Sequence, residues 1–578
     1  MKKILAMILS TVMLLSLAVA AFAEEPATLV LKNGEIQTMV SKDDVAQAIA
    51  VRGNEIVYVG DDAGVEAFIG DGTQVIDLNG QYVLPGFIDG HIHSASVFLS
   101  ADTELDLMGL DANLEVYKAA VKEFVEAHPD FEIYYVNALD LKAFPESTGE
   151  NSWLDDICSE KPICCVDVSL HGRLLNTKAI EMCGITKDTQ DPPSGIIYKD
   201  TNGELTGYFS DCGILLDALP EFEYTEEQRV NAFLTMQDLS SSYGITGYDS
   251  GGETIMTPAM LNDLYNAGKL NIRFNYDFFW GDASSEGAQG VIDYINENKQ
   301  YESDFLNVRQ VKFKMDGVPE GKSSYLLEPY DPGAGLDPDY RSSAAATQEG
   351  FTDFVIGVNS AGYTVQTHCM GDASVQLAVN SFEAAQEALG DLQKECRNKI
   401  AHVNLITDED VQRMADLKVI AAMQPMWFYY DPFFSPLEEL MFGTERFNRE
   451  YHIREMLDAG MIITGSNDYP VTYDYAPLHA IEAGATQCSP YPGEDDQPEI
   501  FTRNADQAVS VYEMIEMYTT KSAYGAFFDD QVGTIEAGKK ADLVVLGYNL
   551  LTCDVKAISD TPVVYTISDG RIVYTSEA

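Results

Sequence analysis

The chain has 578 residues, of which 92 are Asp or Glu and only 36 are Lys or Arg, so its formal net charge is −56. Nucleic acids and anionic lipid surfaces bind proteins through clusters of Lys and Arg, and this charge therefore excludes both as natural partners. The length exceeds that of one simple domain and suits a barrel with attached domains.

The N-terminus has the three features of a secretory signal peptide. A basic start at residues 1–3 leads into an apolar run from Ile4 to Ala20, and residues 21–23 form an Ala-x-Ala cleavage site. We predict cleavage after Ala23 and a secreted protein, extracellular or in the cell envelope, with no membrane attachment after cleavage. A membrane anchor is the alternative, which the shortness of the run and the lack of stop-transfer charges disfavour.

Short predicted strands separated by turn sequences occupy both ends of the chain. Near the start, Asn33-Gly34 and Gly53-Asn54 supply the turn chemistry. Near the end, short predicted strands with turn sequences occur again in residues 538–546 and 563–574. We predict one composite β-sandwich built from residues 24–84 plus 531–578.

Between these ends, β-rich runs alternate with amphipathic helical stretches, which is the pattern of a parallel sheet with crossover helices. We predict an α/β fold for residues 85–530, a (β/α)8 TIM-type barrel. The first two strands lie too far apart for an ordinary βα loop, which indicates an inserted α/β subdomain at about residues 115–223. The eight predicted strands are 82–88, 245–248, 272–279, 308–313, 364–367, 399–401, 419–423 and 462–464.

Two histidines follow the first of these strands. His91 and His93 end an apolar segment that passes through Pro85-Gly86. Residues two apart on an extended backbone point the same way, so both imidazoles can reach one ion. Neutral imidazole is the commonest protein ligand for zinc and similar metals. For a bare His-x-His pair, polar surface is the alternative.

The run Pro-Gly-Phe-Ile-Asp-x-His-x-His at residues 85–93 resembles the first-strand motif of the metal-dependent amidohydrolase superfamily. From about Leu29 to Tyr574, the chain is similar to the branch that includes N-substituted formamide deformylases. The resemblance implies a hydrolase that cleaves a non-peptide, amide-type carbon–nitrogen bond of a small molecule with metal-activated hydroxide. It also implies one or two divalent metal ions per chain, with zinc as the expected metal.

Three more residues at predicted strand ends complete the expected ligand set, because barrel active sites lie at the carboxyl ends of the strands. His368 follows the fifth strand and His402 the sixth. A hydrogen-bonded core histidine is the alternative for His368 alone. Asp468 matches the aspartate of the family pattern Gly-Ser-Asp-x-Pro, which implies a metal ligand and the catalytic general base. An Asx-turn or helix cap is its ordinary alternative.

A lysine is the candidate bridge between two metals. Lys312, Lys314 and Asp316 lie on one side of the fourth strand. Burial favours the neutral amine, which can react with carbon dioxide to give a carbamate with two ligand oxygens. The family pattern Val-Lys-x-x-x-Asp-Gly selects Lys312 as the metal ligand. Without that pattern, the two lysines stay equivalent, and solvent-reaching surface lysines are the alternative.

Four further residues are candidates for substrate binding. His171 lies in a segment similar to the one that covers the active site in the family, although a structural role is the stronger alternative. Glu320 and Tyr330 fall in the long loop after the fourth strand. Trp427 begins an aromatic run after the seventh strand, which we expect to line a pocket for an apolar or aromatic group.

Two rival functions remain open at this point. The first is a deaminase or a cyclic amide or lactone hydrolase on the same barrel, since such folds support many reactions. The second is a non-catalytic binding or scaffold protein, in which ligand positions should be missing, whereas every expected position is filled here. The sequence leaves a homodimer open.

Overall fold

The computed structural model describes residues 25–93, 95–101, 103–144, 149–192, 195–432, 434–472, 474–494 and 497–576. The predicted signal peptide, residues 1–23, lies outside them. Within the described part, no helix combines the length and the apolar character that a membrane crossing requires.

Eight parallel strands form a nearly closed barrel, which confirms the predicted fold class. Each strand pairs with the next one in chain order. The first and eighth strands approach closely at Gly90, where an added Cβ would lie 2.8 Å from Thr464. The strands are Phe87–Ile92, Ile245–Ser250, Arg273–Phe279, Leu306–Lys314, Thr364–Cys369, Lys399–His402, Ile420–Met423 and Ile462–Gly465.

The fifth strand shows how the barrel places polar side chains inside. All six of its residues are buried. Val365 packs into the large apolar core that includes Phe351 and Phe354 of the helix before the strand. Because side chains alternate along a strand, Gln366 and His368 face the barrel interior instead. The buried strand therefore delivers functional groups to the barrel axis.

Helices cover the outside of the barrel. Several begin at a Thr or Ser whose side chain accepts a hydrogen bond from the first turn, as Thr225 and Thr347 do. The barrel helices of nine or more residues are Glu226–Ser242, Pro258–Asn266, Ser285–Asn298, Gln348–Ser360, Asp372–Leu389, Asp408–Leu417, Phe434–Phe447 and Pro477–Thr486. Shorter ones are Ser96–Ser100, Asp391–Glu395, Ile453–Asp458, Pro498–Phe501, Val511–Tyr518 and Thr520–Gly525.

The first predicted strand is in fact two strands that belong to different sheets. Tyr82–Pro85 pairs with Leu543–Leu546 from the far end of the chain, and Phe87–Ile92 enters the barrel. The change occurs at Gly86, where an added Cβ would lie 2.2 Å from the hydroxyl of Thr246. Only glycine fits there. The apolar pattern of this segment did not indicate that its two halves pair with strands of different sheets.

Two small sheets share one apolar cluster that includes Leu31, Val83 and Val545, and the second of them combines strands from both chain ends. The limits of the predicted sandwich domain stay a prediction. One sheet contains Leu29–Lys32, Ala48–Arg52, Glu55–Gly60 and Gln74–Asp77. The other contains Glu35–Gln37, Val45–Ala46, Tyr82–Pro85, Leu543–Leu546, Val563–Ser568 and Arg571–Thr575. A short helix, Asp62–Val65, lies beside the first sheet.

A separate six-stranded sheet lies between the first and second barrel strands in the chain. It brings His171 and Asp211 together, because the backbone N–H of Asp211 donates to the carbonyl of His171 at 3.0 Å. Its strands are Glu104–Asp106, Tyr134–Leu139, Ile163–Asp167, Gly172–Leu175, Ile196–Lys199 and Leu205–Ser210. Its helices are Leu114–Ala127, Ser152–Ile157 and Thr177–Met182.

Candidate active site

The four histidines expected at strand ends converge at the carboxyl end of the barrel. The ring centroids of His91 and His93 are 5.4 Å apart, and those of His91 and His402 are 5.2 Å apart. His368 lies 4.5 Å from His402 by the same measure. The cluster thus brings together residues from three different strands, and the outermost two, His91 and His402, are 311 positions apart in the sequence.

Asp468 completes this cluster from the loop after the eighth strand. Its Oδ1 lies 3.5 Å from Nε2 of His91 and 3.4 Å from Nε2 of His93. One nitrogen each of His91 and His402 and one oxygen of Asp468 all lie within 4.8 Å of one another. Asp468 has a φ of +54°, a left-handed conformation that Asp tolerates better than most residues. Its N–H donates to the carbonyl of His91 at 3.2 Å, which fixes the loop.

Burial sets the protonation of the cluster. It lowers the pKa of His91, His368 and His402 well below the ordinary value, and the charge of Lys312 acts in the same direction at each. Burial, followed by that same charge, lowers the pKa of His93 to about 3. All four imidazoles are therefore neutral at pH 7, which is the form that binds metals. Burial raises the pKa of Asp468 to about 7 against the opposing charge of Lys312.

The donor set fits a divalent metal. Within the described part of the chain, Nε2 of His368 and Oδ1 of Asp468 are buried without a hydrogen-bond partner. A buried polar atom without a partner destabilises a protein by about 1–3 kcal/mol, unless something outside the chain satisfies it. Imidazole nitrogens together with a carboxylate are ligands that zinc and related ions prefer.

Two glutamines hold the histidine rings, and the sequence reasoning missed both. Nδ1 of His91 lies 3.1 Å from Oε1 of Gln366, and Nδ1 of His402 lies 3.0 Å from Oε1 of Gln424. An amide oxygen only accepts, so each Nδ1 carries the proton and each Nε2 keeps its lone pair. The available signal was alternation, because Gln366 lies two residues before His368 on the same strand face.

The structure separates the two candidate lysines. Nζ of Lys312 lies 3.0 Å from Nε2 of His91 inside the barrel. Burial lowers the pKa of Lys312 to about 8, although the charges of Asp468 and Asp277 oppose this. Nζ of Lys314 instead donates to Oδ1 of Asp211 at 2.6 Å, nearer the barrel mouth. Lys312 is therefore the lysine that reaches the histidine cluster.

A cavity of about 700 Å³ opens above the cluster. Trp427 forms part of its wall, stacks 5.5 Å from the ring of His402, and donates from Nε1 to the hydroxyl of Thr472 at 2.8 Å. Met426 and Tyr429 line the cavity as well. The aromatic run after the seventh strand thus contributes to the wall of this cavity.

The other three substrate candidates differ in position. His171 lines the cavity with its ring 5.2 Å from that of His368, and Glu320 lines it as well. Burial raises the pKa of Glu320 to about 8. Tyr330 is not among the residues that line the cavity and packs between Tyr340 and Phe442, so its substrate role stays a prediction. Its hydroxyl donates to a backbone carbonyl at 2.8 Å, which satisfies the group without a substrate.

Comparison with known proteins identifies relatives of the whole chain. A model described as "Amidohydrolase family" matches residues 74–574. Protein LONG AFTER FAR-RED 3 of Arabidopsis thaliana is 26% identical over 538 residues, which cover 90% of this chain and 88% of that protein. N-substituted formamide deformylase of Arthrobacter pascens is 25% identical over 570 residues, which cover 94% of this chain and 98% of that protein.

A solved structure supports the fold. The crystal structure of an uncharacterized metal-dependent hydrolase from Pyrococcus horikoshii superposes with a TM-score of 0.68 at 20% identity. The match covers 91% of this chain and 99% of the other.

Proposed function

Since the chain belongs to the amidohydrolase family and is a metal-dependent hydrolase of carbon–nitrogen bonds, we propose that it is a secreted enzyme that cleaves an amide of a small molecule, with Asp468 as general base. The observation that supports this most is the convergence of His91, His402 and Asp468, whose ligand atoms lie within 4.8 Å of one another beneath an open cavity.

We assign the metal to His91, His93, His368, His402 and Asp468, with zinc as the expected ion. When bound, such an ion lowers the pKa of a water molecule and withdraws electrons from a carbonyl oxygen. The protein contributes a rigid donor set, because the glutamines hold two rings in one orientation. Loss of a hydrogen-bond partner that holds a metal-binding imidazole typically changes metal affinity by about 10–100-fold.

Asp468 moves the proton in this proposal. Its Oδ1 is buried, without a hydrogen-bond partner among the described residues, and lies 3.4 Å from Nε2 of His93. It takes a proton from the attacking water and then gives that proton to the departing amine nitrogen. The carbon–oxygen bond forms first, and the carbon–nitrogen bond breaks when the nitrogen receives the proton, so that a carboxylic acid and an amine leave.

Lys312 is proposed to be carboxylated and to supply a bridging ligand. Its buried amine lies 3.0 Å from His91, and its pKa of about 8 leaves a reactive neutral fraction at pH 7. The amine nitrogen attacks the carbon of carbon dioxide, a nitrogen–carbon bond forms, and one proton is released. The resulting carbamate carries one negative charge, which suits a position among neutral imidazoles.

The cavity walls indicate the kind of substrate. Trp427, Tyr429 and Met426 present apolar and aromatic surface on one side. Such walls bind an apolar or aromatic substituent, while a few polar groups fix its orientation. A homodimer and the secreted location remain predictions from the sequence.

Two measurements test the proposal. Metal analysis of the purified protein should find zinc at one or two ions per chain, and a screen of N-formyl, N-acyl and cyclic amides should find hydrolysis. Absence of metal and of turnover would favour a binding or scaffold protein instead. Release of ammonia from heterocycles, without amide hydrolysis, would favour a deaminase.

A further inference from the structure

A second polar cluster lies beside the proposed metal ligands, and none of the steps above uses it. We define the roof cluster as His171, Asp211, Lys314 and Ser323. His171 directly precedes one strand of the sheet inserted after the first barrel strand, and Asp211 directly follows another, whereas Lys314 ends the fourth barrel strand. The cluster therefore joins the inserted sheet to the barrel.

Asp211 is the centre of the roof cluster. Its Oδ1 accepts from Nδ1 of His171 and from Nζ of Lys314, both at 2.6 Å. Its Oδ2 accepts from the hydroxyl of Ser323, and from that of Ser210 at 3.3 Å. A carboxylate offers about four lone-pair positions, so these four contacts use its capacity. Asp211 is buried and holds its partners rather than meeting a substrate.

Lys314 keeps N–H donors for a further partner. An ammonium group has three N–H donors, and among the described residues only Asp211 accepts from Lys314. His171 donates from Nδ1 to the same carboxylate, which holds its ring against Asp211. Both side chains line the 700 Å³ cavity. Donors held toward a cavity are suited to an incoming oxygen atom.

The position of these donors points to the reacting end of the substrate. Lys314 lies opposite His368 in the register of the fourth and fifth strands, and the ring of His171 is 5.2 Å from that of His368. The Trp427 wall, by contrast, stacks on His402. The roof cluster and the aromatic wall therefore adjoin different histidines of the same site.

We propose that the ammonium group of Lys314, held by Asp211, binds a negatively charged oxygen of the substrate beside His368. This inference rests on the proposed function and deepens it. The charged oxygen has two sources, the carbonyl oxygen as it becomes an oxyanion or a carboxylate that the substrate already has. Lys314 contacts the substrate, and Asp211 is a positioning residue.

The test uses Lys314→Met, which keeps a side chain of similar length and removes the ammonium group. Lys142→Met is the matched control, because Lys142 is a lysine that lines the same cavity. Two substrates separate the sources: formanilide, which is uncharged, and 4-formamidobenzoate, which adds one carboxylate. Benzoate binding to the Asp468→Asn protein, measured by calorimetry, reports the site without turnover.

An oxyanion role predicts that Lys314→Met lowers kcat at least tenfold for both amides, with little change in KM. A carboxylate role predicts at least a tenfold rise in KM for 4-formamidobenzoate alone. Either role predicts loss of benzoate binding, because benzoate presents a negatively charged oxygen. Asp211→Asn should follow the same pattern as Lys314→Met in either case, whereas a purely structural role would lower the free energy of unfolding and leave kcat and KM of the folded protein unchanged for both amides.

Wild-type kcat and KM for both amides in Lys314→Met would overturn the inference. If wild-type protein hydrolyses neither amide, the proposed function has failed for these substrates, and benzoate then decides the inference by itself. Equal benzoate binding by the Asp468→Asn protein with and without Lys314→Met would refute the roof cluster as an anion site. If Lys314→Met does not fold, Lys314→Gln, which keeps a donor for Asp211 but carries no charge, provides the same comparison.

Discussion

Asp468→Asn is the most direct perturbation of the proposed chemistry. Asparagine keeps the size of the side chain and one ligand oxygen, but it cannot take a proton. Asp316 cannot replace the lost base, because its oxygens already accept from the N–H groups of Met370, Gly371 and Tyr325, each at 2.9 Å. We therefore expect the full effect of losing a general base, about 10²–10⁴-fold in kcat.

That factor corresponds to about 3 to 5 kcal/mol in activation free energy, since each tenfold change is about 1.36 kcal/mol. Steady-state kinetics should show the loss in kcat with KM nearly unchanged, because the cavity walls are untouched. Asp431→Asn, the same change elsewhere in the cavity lining, serves as control and should keep kcat near wild type. Metal content must be measured in parallel. Wild-type kcat in a fully metallated Asp468→Asn enzyme would remove Asp468 from the mechanism.

The remaining predictions concern ligands, ring orientation and the cavity wall. His91→Ala should lose metal and hydrolysis but keep a cooperative thermal transition, and full activity after metal depletion would contradict its role. Lys312→Ala should bind less metal and regain part of its activity with added formate or acetate; unchanged metal content and activity would rule out the bridge. Gln366→Leu should weaken metal binding by about 10–100-fold in chelator competition, with Gln366→Glu as the comparison that keeps an acceptor. Trp427→Ala should raise KM for aryl amides more than for alkyl amides of similar length, and an equal change for both would argue against an aromatic subsite.

The strand-end histidines could be predicted because two local signals agree at each of them. A buried strand reads as an apolar, β-branched run, and barrel chemistry collects where such runs end. His91, His368 and His402 satisfy both conditions, and the structure places them in one cluster. Neither signal depends on which strands are neighbours, so both can be read along the chain.

The roof cluster could not be predicted in this way. Asp211 and Lys314 are 103 positions apart and belong to different sheets, and only the packing of the inserted sheet on the barrel joins them. The split of the first strand at Gly86 was hidden for a similar reason, since it depends on contact with Thr246. Local pattern predicts an element, whereas its partner is a property of the assembled fold.

Lys312 and Lys399 are both buried inside the barrel, and they show how the neighbouring side chains set the role of a buried lysine. Lys399 ends its side chain against the carboxylate of Asp249 and donates to the amide oxygen of Gln310 at 2.6 Å. Asp249 in turn accepts from Asn275 at 2.9 Å, so Lys399 is part of a fully buried polar network.

Lys312 also lies inside the barrel, but its Nζ is 3.0 Å from Nε2 of His91. Burial lowers the pKa of both lysines, although neighbouring carboxylates oppose this at each. Burial therefore does not distinguish them. Their contacts do, because Lys399 is held by two side-chain acceptors within the buried network, whereas Lys312 reaches the histidine cluster in which we propose its carboxylation.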